Sequence, residues 1–384
     1  MTEYDAAHIQ VLEWPEAVRK RPGMYIGSTT ERGLHQLVFE VAGRPVNEAL
    51  AGRAGVVDIA LMSDGGVRVT DDGPGIPVGV DADAAGPGLE ALLTRFQAGA
   101  RHGGRHEAAM SALAVGPCVT NALSSRLKAE VRRDGVRWVQ EYVRGASLTP
   151  PTVAGPATGS GTTITFWPDI DIFGTAKCSF AVLAERFREL AFLNRGLDVS
   201  LTDERPQGGP RAERFRFPRG TRDFVAFLDE PAAVPVHLDV IAFEREDPRM
   251  AGTLEVAFRW SDSREERIRT FANGRSTPDG GTHAAGFRDG VAAAMTAYAR
   301  AHRQLTLTDD DFDADRISEG LTAVVSVRLD SPEFHGATRG FLGGDTVRSQ
   351  VAEAVRAHLT AWLEGHPDQA AAVISRMLQG IRRA

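Results

Sequence analysis

The apolar positions of this chain follow two periodicities, which divide it into helices and strands. From Gly33 to Ala51, the residues Leu34, Leu37, Val38, Val41, Ala49 and Leu50 recur near helical spacing. Gly52 supplies a stop, so one long helix is predicted. Val56–Met62 and Val67–Asp71 are short β-rich runs joined by Ser63-Asp-Gly-Gly66, a hairpin signal. Leu89–Phe96 reads as a second helix. Pro117–Leu123 reads as a third, since proline is accepted in a first helical turn. Strands are predicted at Leu127–Arg132, Val136–Val143 and Thr162–Trp167, then a helix over Phe180–Leu193. Further on, strands fit Leu254–Trp260, Glu266–Ala272 and Leu321–Leu329, and long helices fit Gly286–Ala301 and Asp345–Glu364. The stretch Gly208–Gly220 is polar and rich in Gly, Pro and Arg, so it reads as a linker, with domains at 1–215 and 216–384.

Composition narrows the class. A chain of 384 residues exceeds the size at which single cores stop growing, which also argues for two domains. Its 42% hydrophobic and 25% charged content is that of an ordinary globular protein. No apolar run approaches the ~20 residues of a membrane span, so no membrane association is expected. The N-terminus lacks the basic start and apolar core of a signal peptide, and Cys118 and Cys178 are the only cysteines. Both features fit a cytoplasmic, reducing compartment. A net charge of −7 argues against non-specific DNA binding as the main task and leaves DNA contact open. The cluster Arg211, Arg214, Arg216, Arg219 and Arg222 reads first as solvated surface charge.

Specific segments go further. Ala17-Val-Arg-Lys-Arg-Pro-Gly-Met-Tyr-Ile-Gly27, Val69-Thr-Asp-Asp-Gly-Pro-Gly-Ile-Pro77, Asn121-Ala-Leu-Ser124 and Gly161-Thr-Thr-Ile-Thr-Phe-Trp-Pro168 appear in order. Phe192-Leu-Asn-Arg-Gly196, Asp279-Gly-Gly-Thr-His283 and Glu319-Gly-Leu-Thr-Ala-Val-Val-Ser-Val327 follow. Together with Phe39-Glu-Val-Ala-Gly-Arg-Pro45, this series resembles the N-terminal ATPase and transducer region of DNA gyrase B and its topoisomerase IV counterpart. The resemblance implies an α/β, GHKL-type sandwich followed by a ribosomal-S5-like βαβ transducer. It also implies that the chain stops where the family continues into its DNA-cleavage domain, and that Tyr4–Leu12 is an arm crossing to a second protomer.

The same resemblance assigns roles to residues. Glu40 stands where the family has its water-activating glutamate, but Arg44 replaces the magnesium-binding asparagine. A guanidinium has only donors and cannot coordinate a cation. Arg44 lies one turn from Glu40, at the spacing of a helical ion pair. Pro45 is expected to interrupt the helix, at about 3 kcal/mol. The family's glycine-rich phosphate cradle appears as Met110-Ser-Ala-Leu-Ala-Val-Gly116, with only Gly116 kept. The lysine that pairs with the terminal phosphate is Arg339, and an inhibitor-contacting arginine is Val139. The loop 98–109 falls at the family's ATP lid; its His102 and His106 lack a third ligand, so no metal site is expected. The base end is kept: Asp71, which meets the adenine amino group, Gly75 and Thr162. Walls come from Val41, Val69, Ile76, Pro77, Leu92 and Ile164, with Met110 over them.

ATP and magnesium are therefore not expected as cofactors, and three functions stay open. One is a pseudo-ATPase that acts as a binding or decoy protein or as the partner of a gyrase subunit, as a homodimer. Another is an enzyme that uses the old adenine pocket for a small molecule, with Asp71 or Glu40 as acid or base. The last is a conventional ATP-dependent type II topoisomerase subunit.

Overall fold

The computed structural model describes residues 12, 14–79, 88–96, 108, 110, 115–205, 209–229, 234–306, 310–336 and 339–381. Most of the expected arm, the histidines of loop 98–109, and Ala112 and Ala114 lie outside the described residues. The chain divides into two compact units. The first takes residues 1–102, 109–191 and 196–216; the second takes 103–108, 192–195 and 217–384.

In the first unit, short helices α1 (Glu16–Lys20) and α2 (Gly23–Ile26) lead into α3 (Glu31–Leu50). Strands β1 (Val57–Leu61) and β2 (Val67–Asp71) form the anticipated hairpin; helices α4 (Leu89–Thr94) and α5 (Pro117–Ala122) follow. Next come β3 (Ser124–Arg133), β4 (Val136–Val143), β5 (Ala146–Ser147), β6 (Thr152–Pro156) and β7 (Gly161–Pro168). The unit closes with α6 (Ile170–Phe173), α7 (Phe180–Leu193), β8 (Val199–Asp203) and β9 (Arg211–Phe215). Among the described residues the strands form one mixed sheet in the order β5-β4-β3-β7-β2-β1-β8-β9, with β6 paired to β4. Of these pairings only β1–β8 is parallel.

The expected break at Pro45 does not occur: α3 runs through it. Its inner face explains why. Leu34, Leu37, Val38, Val41, Ala42 and Val46 are buried, with α3 packed on β1, β2 and α5. Each large apolar side chain so buried contributes about 1.5–3 kcal/mol, which together exceeds the cost of one proline in the helix. The segment at which the domain boundary was expected contains a strand, β9, that the sequence pattern did not suggest. Charged residues are common on edge strands, where they discourage further pairing, so the pattern hid the strand. Its arginines are exposed but not free. Arg211 pairs with Glu213 at 2.6 Å, Arg214 with Asp198 at 2.6 Å and Arg219 with Asp223 at 2.7 Å.

The second unit comprises α8 (Thr221–Asp229), β10 (Ile241–Asp247), β11 (Gly252–Trp260), β12 (Arg267–Ala272), β13 (Arg275–Ser276) and α9 (Thr282–Ala301). Then follow α10 (Ala314–Ser318), β14 (Leu321–Leu329), β15 (Phe334–His335), β16 (Phe341–Leu342), α11 (Asp345–Gly365) and α12 (Pro367–Ile381). The main sheet runs β10-β11-β14-β12-β13, with β12 and β14 parallel. Alternation splits its sides. Leu254, Val256 and Phe258 join a core with Phe287, Val291, Val351 and Val355 of α9 and α11. Ala257 and Val324 meet Phe224 and Val225 of α8, together with Phe192 and Leu193. Phe192 stacks on Phe217 and Phe224 at centroid distances of 3.7 and 4.6 Å. Arg328 donates to the Leu193 carbonyl and Asn194 Oδ1, both at 2.7 Å.

Candidate functional site

Strand register brings Asp71 and Thr162 together. The two stand opposite each other where β2 pairs with β7; Val69, two positions along from Asp71, faces Ile164. Asp71 is 3% exposed. Its Oδ1 accepts from the Gly73 N–H at 2.9 Å, while Oδ2 is buried and makes no hydrogen bond among the described residues. Thr162 Oγ1 accepts from the Ile76 N–H at 3.2 Å. Gly75, at φ 73°, is required: a Cβ there would sit 2.6 Å from the Arg132 carbonyl oxygen. That backbone is also held by Arg133, whose Nη1 donates to the Gly75 carbonyl at 2.9 Å. Burial pushes the Asp71 carboxyl above its ordinary range, against the opposing pull of the Gly73 N–H and the Arg44 charge. Val41, Val69, Ile76, Leu92, Met110 and Ile164 are all buried and Pro77 is half-buried.

Glu40 is arranged differently. It is 6% exposed, and both carboxylate oxygens are engaged. Oε1 accepts from Gln36 Nε2 at 2.9 Å and the Val115 N–H at 3.3 Å; Oε2 accepts from the Gly116 N–H at 2.8 Å. The expected Glu40–Arg44 pair does not form. Arg44 turns instead toward Glu48 at 3.5 Å, and Arg53 reaches the other Glu48 oxygen at 2.6 Å. Three N–H donors already satisfy Glu40, whereas Glu48, at the same helical spacing from Arg44, still has an oxygen to share.

Among the described residues, position 44 supplies no magnesium ligand. Arg44 offers donors where a metal needs an acceptor, and its charge faces Asp71 as well as Glu48. No group of three or more His, Cys, Asp or Glu able to hold a metal is found among the described residues. The Val115 and Gly116 N–H groups, which a phosphate oxygen would use, are taken by Glu40. Met110 packs beside Gly43 on α3, its Cβ and Cγ 3.8 Å from where a Cβ on Gly43 would lie.

The comparisons with known proteins decide the family. The DNA gyrase B protein of Streptomyces coelicolor is 44% identical over 392 residues, matching 98% of this chain and 57% of its own length. A novobiocin-sensitive gyrase B protein of Streptomyces niveus is 41% identical, with 98% and 58% covered. The 43K ATPase domain of Thermus thermophilus gyrase B, solved with an aminocoumarin, superposes with a TM-score of 0.80 at 33% identity. That match covers 95% of this chain and 94% of the solved domain. The chain belongs to the DNA gyrase B family. A family model described as DNA gyrase B also matches residues 220–383. The first unit has the family's GHKL-type architecture and the second that of its transducer. The chain spans about 57% of the length of the full gyrase B protein from Streptomyces coelicolor.

Within this gyrase-B framework some contacts were not anticipated. Gln36 lies one turn before Glu40, so helical spacing could have revealed it. The Arg133 contact with Gly75 depends on where β3 ends, which pattern does not fix. Arg339, in the second unit, is exposed with φ 54°. Arg288 pairs with both oxygens of Glu266 at 2.9 and 3.0 Å. Cys118 and Cys178 are buried and neither is in a disulfide. No helix among the described residues is long and apolar enough to cross a membrane.

Proposed function

We propose that this chain is a gyrase-B-type ATPase–transducer region that binds a ligand at its base end and does not turn over ATP. It would serve as a binding or decoy protein, or as the dimeric partner of a gyrase subunit. One contrast carries the reading. The oxygens of Glu40 are taken up by internal N–H donors, while Asp71 Oδ2 is buried and makes no hydrogen bond among the described residues. A buried acceptor without a partner costs about 1–3 kcal/mol, which a ligand N–H would recover.

The relatives suggest the probe, since the Thermus domain was solved with an aminocoumarin and a Streptomyces niveus relative is named for novobiocin sensitivity. Calorimetric titration should show novobiocin binding that Asp71→Asn abolishes, with no magnesium-dependent ATP turnover above background. An ATPase rate lost in Glu40→Gln would sink the proposal, as would failure of novobiocin to bind. Light scattering should give twice the 41.3 kDa chain mass. The raised Asp71 carboxyl favours a second reading, in which that group works as an acid or base on a small molecule.

A further inference from the structure

A second concavity in the first unit shares no residue with the group around Asp71. Its volume is about 550 Å³, within the range of roughly 300–1,000 Å³ usual for small-molecule sites. It opens between the β1–β2 hairpin and the segment following β7, with walls from Leu61, Val67, Trp167 and Phe173.

Trp167 is a fixed surface. Its Nε1 donates to Asp64 at 3.0 Å, and the Arg126 guanidinium lies over its ring at 5.2 Å. Gly66 admits this close approach, because a Cβ there would fall 2.8 Å from Trp167 Nε1. Ile170 adds an apolar group that is 70% exposed at the edge of the cavity.

The charges around this cavity are unequal in availability. Arg205 is committed: Nε and Nη2 each donate to Asp203 at 2.7 Å, and Nη1 donates to the Cys178 carbonyl at 2.8 Å. Asp64, the acid of the lining, accepts from the Gly66 N–H and Trp167, which holds its carboxyl below the ordinary range. Lys177 is exposed and makes no side-chain hydrogen bond or ion pair among the described residues. A cleft of mixed lining, with a fixed aromatic wall, an exposed apolar edge at Ile170 and one uncommitted ammonium, suits a ligand with a flat apolar body and a single negative charge.

We propose that this cleft binds a small planar carboxylate, with its ring against Trp167 and Ile170 and its carboxylate at Lys177. Recognition is non-covalent. The neighbouring Cys178 thiol is buried, and burial pushes it up to about 12, so it carries no thiolate near neutral pH.

Titration calorimetry of the full chain with 2-naphthoate, and with uncharged 2-naphthamide as its isostere, tests this. The acid should bind saturably and more tightly than the amide. Lys177→Gln should weaken the acid about two- to fivefold, the worth of an exposed charge pair, and bring the two probes to parity. Ile170→Glu should weaken it on the order of tenfold through lost apolar contact and repulsion. Both side chains are exposed, so unchanged melting temperatures would confirm that the fold survives. Asp71→Asn should leave naphthoate binding untouched, which separates this site from the base-end pocket. The proposal is overturned by absence of saturable binding, by equal affinity for acid and amide in the wild type, or by loss of binding in Asp71→Asn.

Discussion

Replacing Glu40 separates a structural role from a catalytic one. Its carboxylate satisfies the buried backbone N–H groups of Val115 and Gly116 as well as Gln36 Nε2. In Glu40→Ala the two backbone donors lose their acceptor inside the protein, each at about 1–3 kcal/mol. Some relaxation is inevitable, so a net loss of roughly 3–5 kcal/mol is expected. Glu40→Gln keeps the shape and one acceptor oxygen. Its amide NH2 must nevertheless face the Val115 N–H at one position or the Gly116 N–H at the other, setting donor against donor even when Gln36 flips to accept, at about 1–2 kcal/mol. For a unit of this size that is a fall of roughly 2–8 °C in Tm. Differential scanning calorimetry with a parallel phosphate-release assay reads both quantities. A water-activating glutamate would give the opposite signature: the Gln variant would match wild-type stability while a wild-type ATPase rate disappeared. A Glu40→Gln stability within about 0.3 kcal/mol of wild type would refute the anchoring argument.

Other expectations follow from the same contacts. Arg44→Asn should cost no more than about 1 kcal/mol, because Arg53 still holds Glu48; it should not create magnesium-dependent turnover, measured by phosphate release, since Glu40 remains engaged. Asp71 has a raised folded-state pKa, so the native protein holds its proton more tightly than the unfolded chain. Its contribution to stability is therefore lost as pH rises above the ordinary value of 3.8. Urea unfolding across pH 4–7 should show a flatter profile for Asp71→Asn. His237 and His283 are lowered by burial from 6.5 to about 4. Each should cost stability as pH falls from 6.5 through 4, and His283→Gln should remove close to one proton from the acid-unfolding slope. Gly75→Ala should destabilise by more than about 2 kcal/mol, because it combines positive φ with a backbone clash, and thermal denaturation will show it.

Pattern made much of the fold legible where burial is one-sided or complete. α7 and β14 occupy the very spans their apolar spacing suggested, Phe180–Leu193 and Leu321–Leu329. It failed where charge decorates an edge, as in β9, and where tertiary burial overrides local preference, as at Pro45. In the site, the pairing of Asp71 with Thr162 came from resemblance and is explained by strand register, since each is ordinary turn or strand chemistry alone. The partners of Glu40 and Arg44 were not legible. Helical spacing offers Arg44 two acids, Glu40 and Glu48, and only the fold decides that backbone N–H groups reach Glu40 first.

Phe192 and Leu193 end α7, most of which belongs to the first unit, yet they sit in a core of the second, and Asn194 and Arg195 go with them. The chain then returns to complete β8 and β9 before crossing again after Arg216. A gene exchange with its crossover at residue 216 would therefore carry away the second unit without its own Phe192. Loss of that stacked ring costs about 3–5 kcal/mol, the toll of emptying an aromatic core position. The heritable module of the second unit includes a small island of sequence lying well upstream of its apparent start. Chimeras among relatives should work only when that island travels with its unit, or when both parents supply the same aromatic residue there.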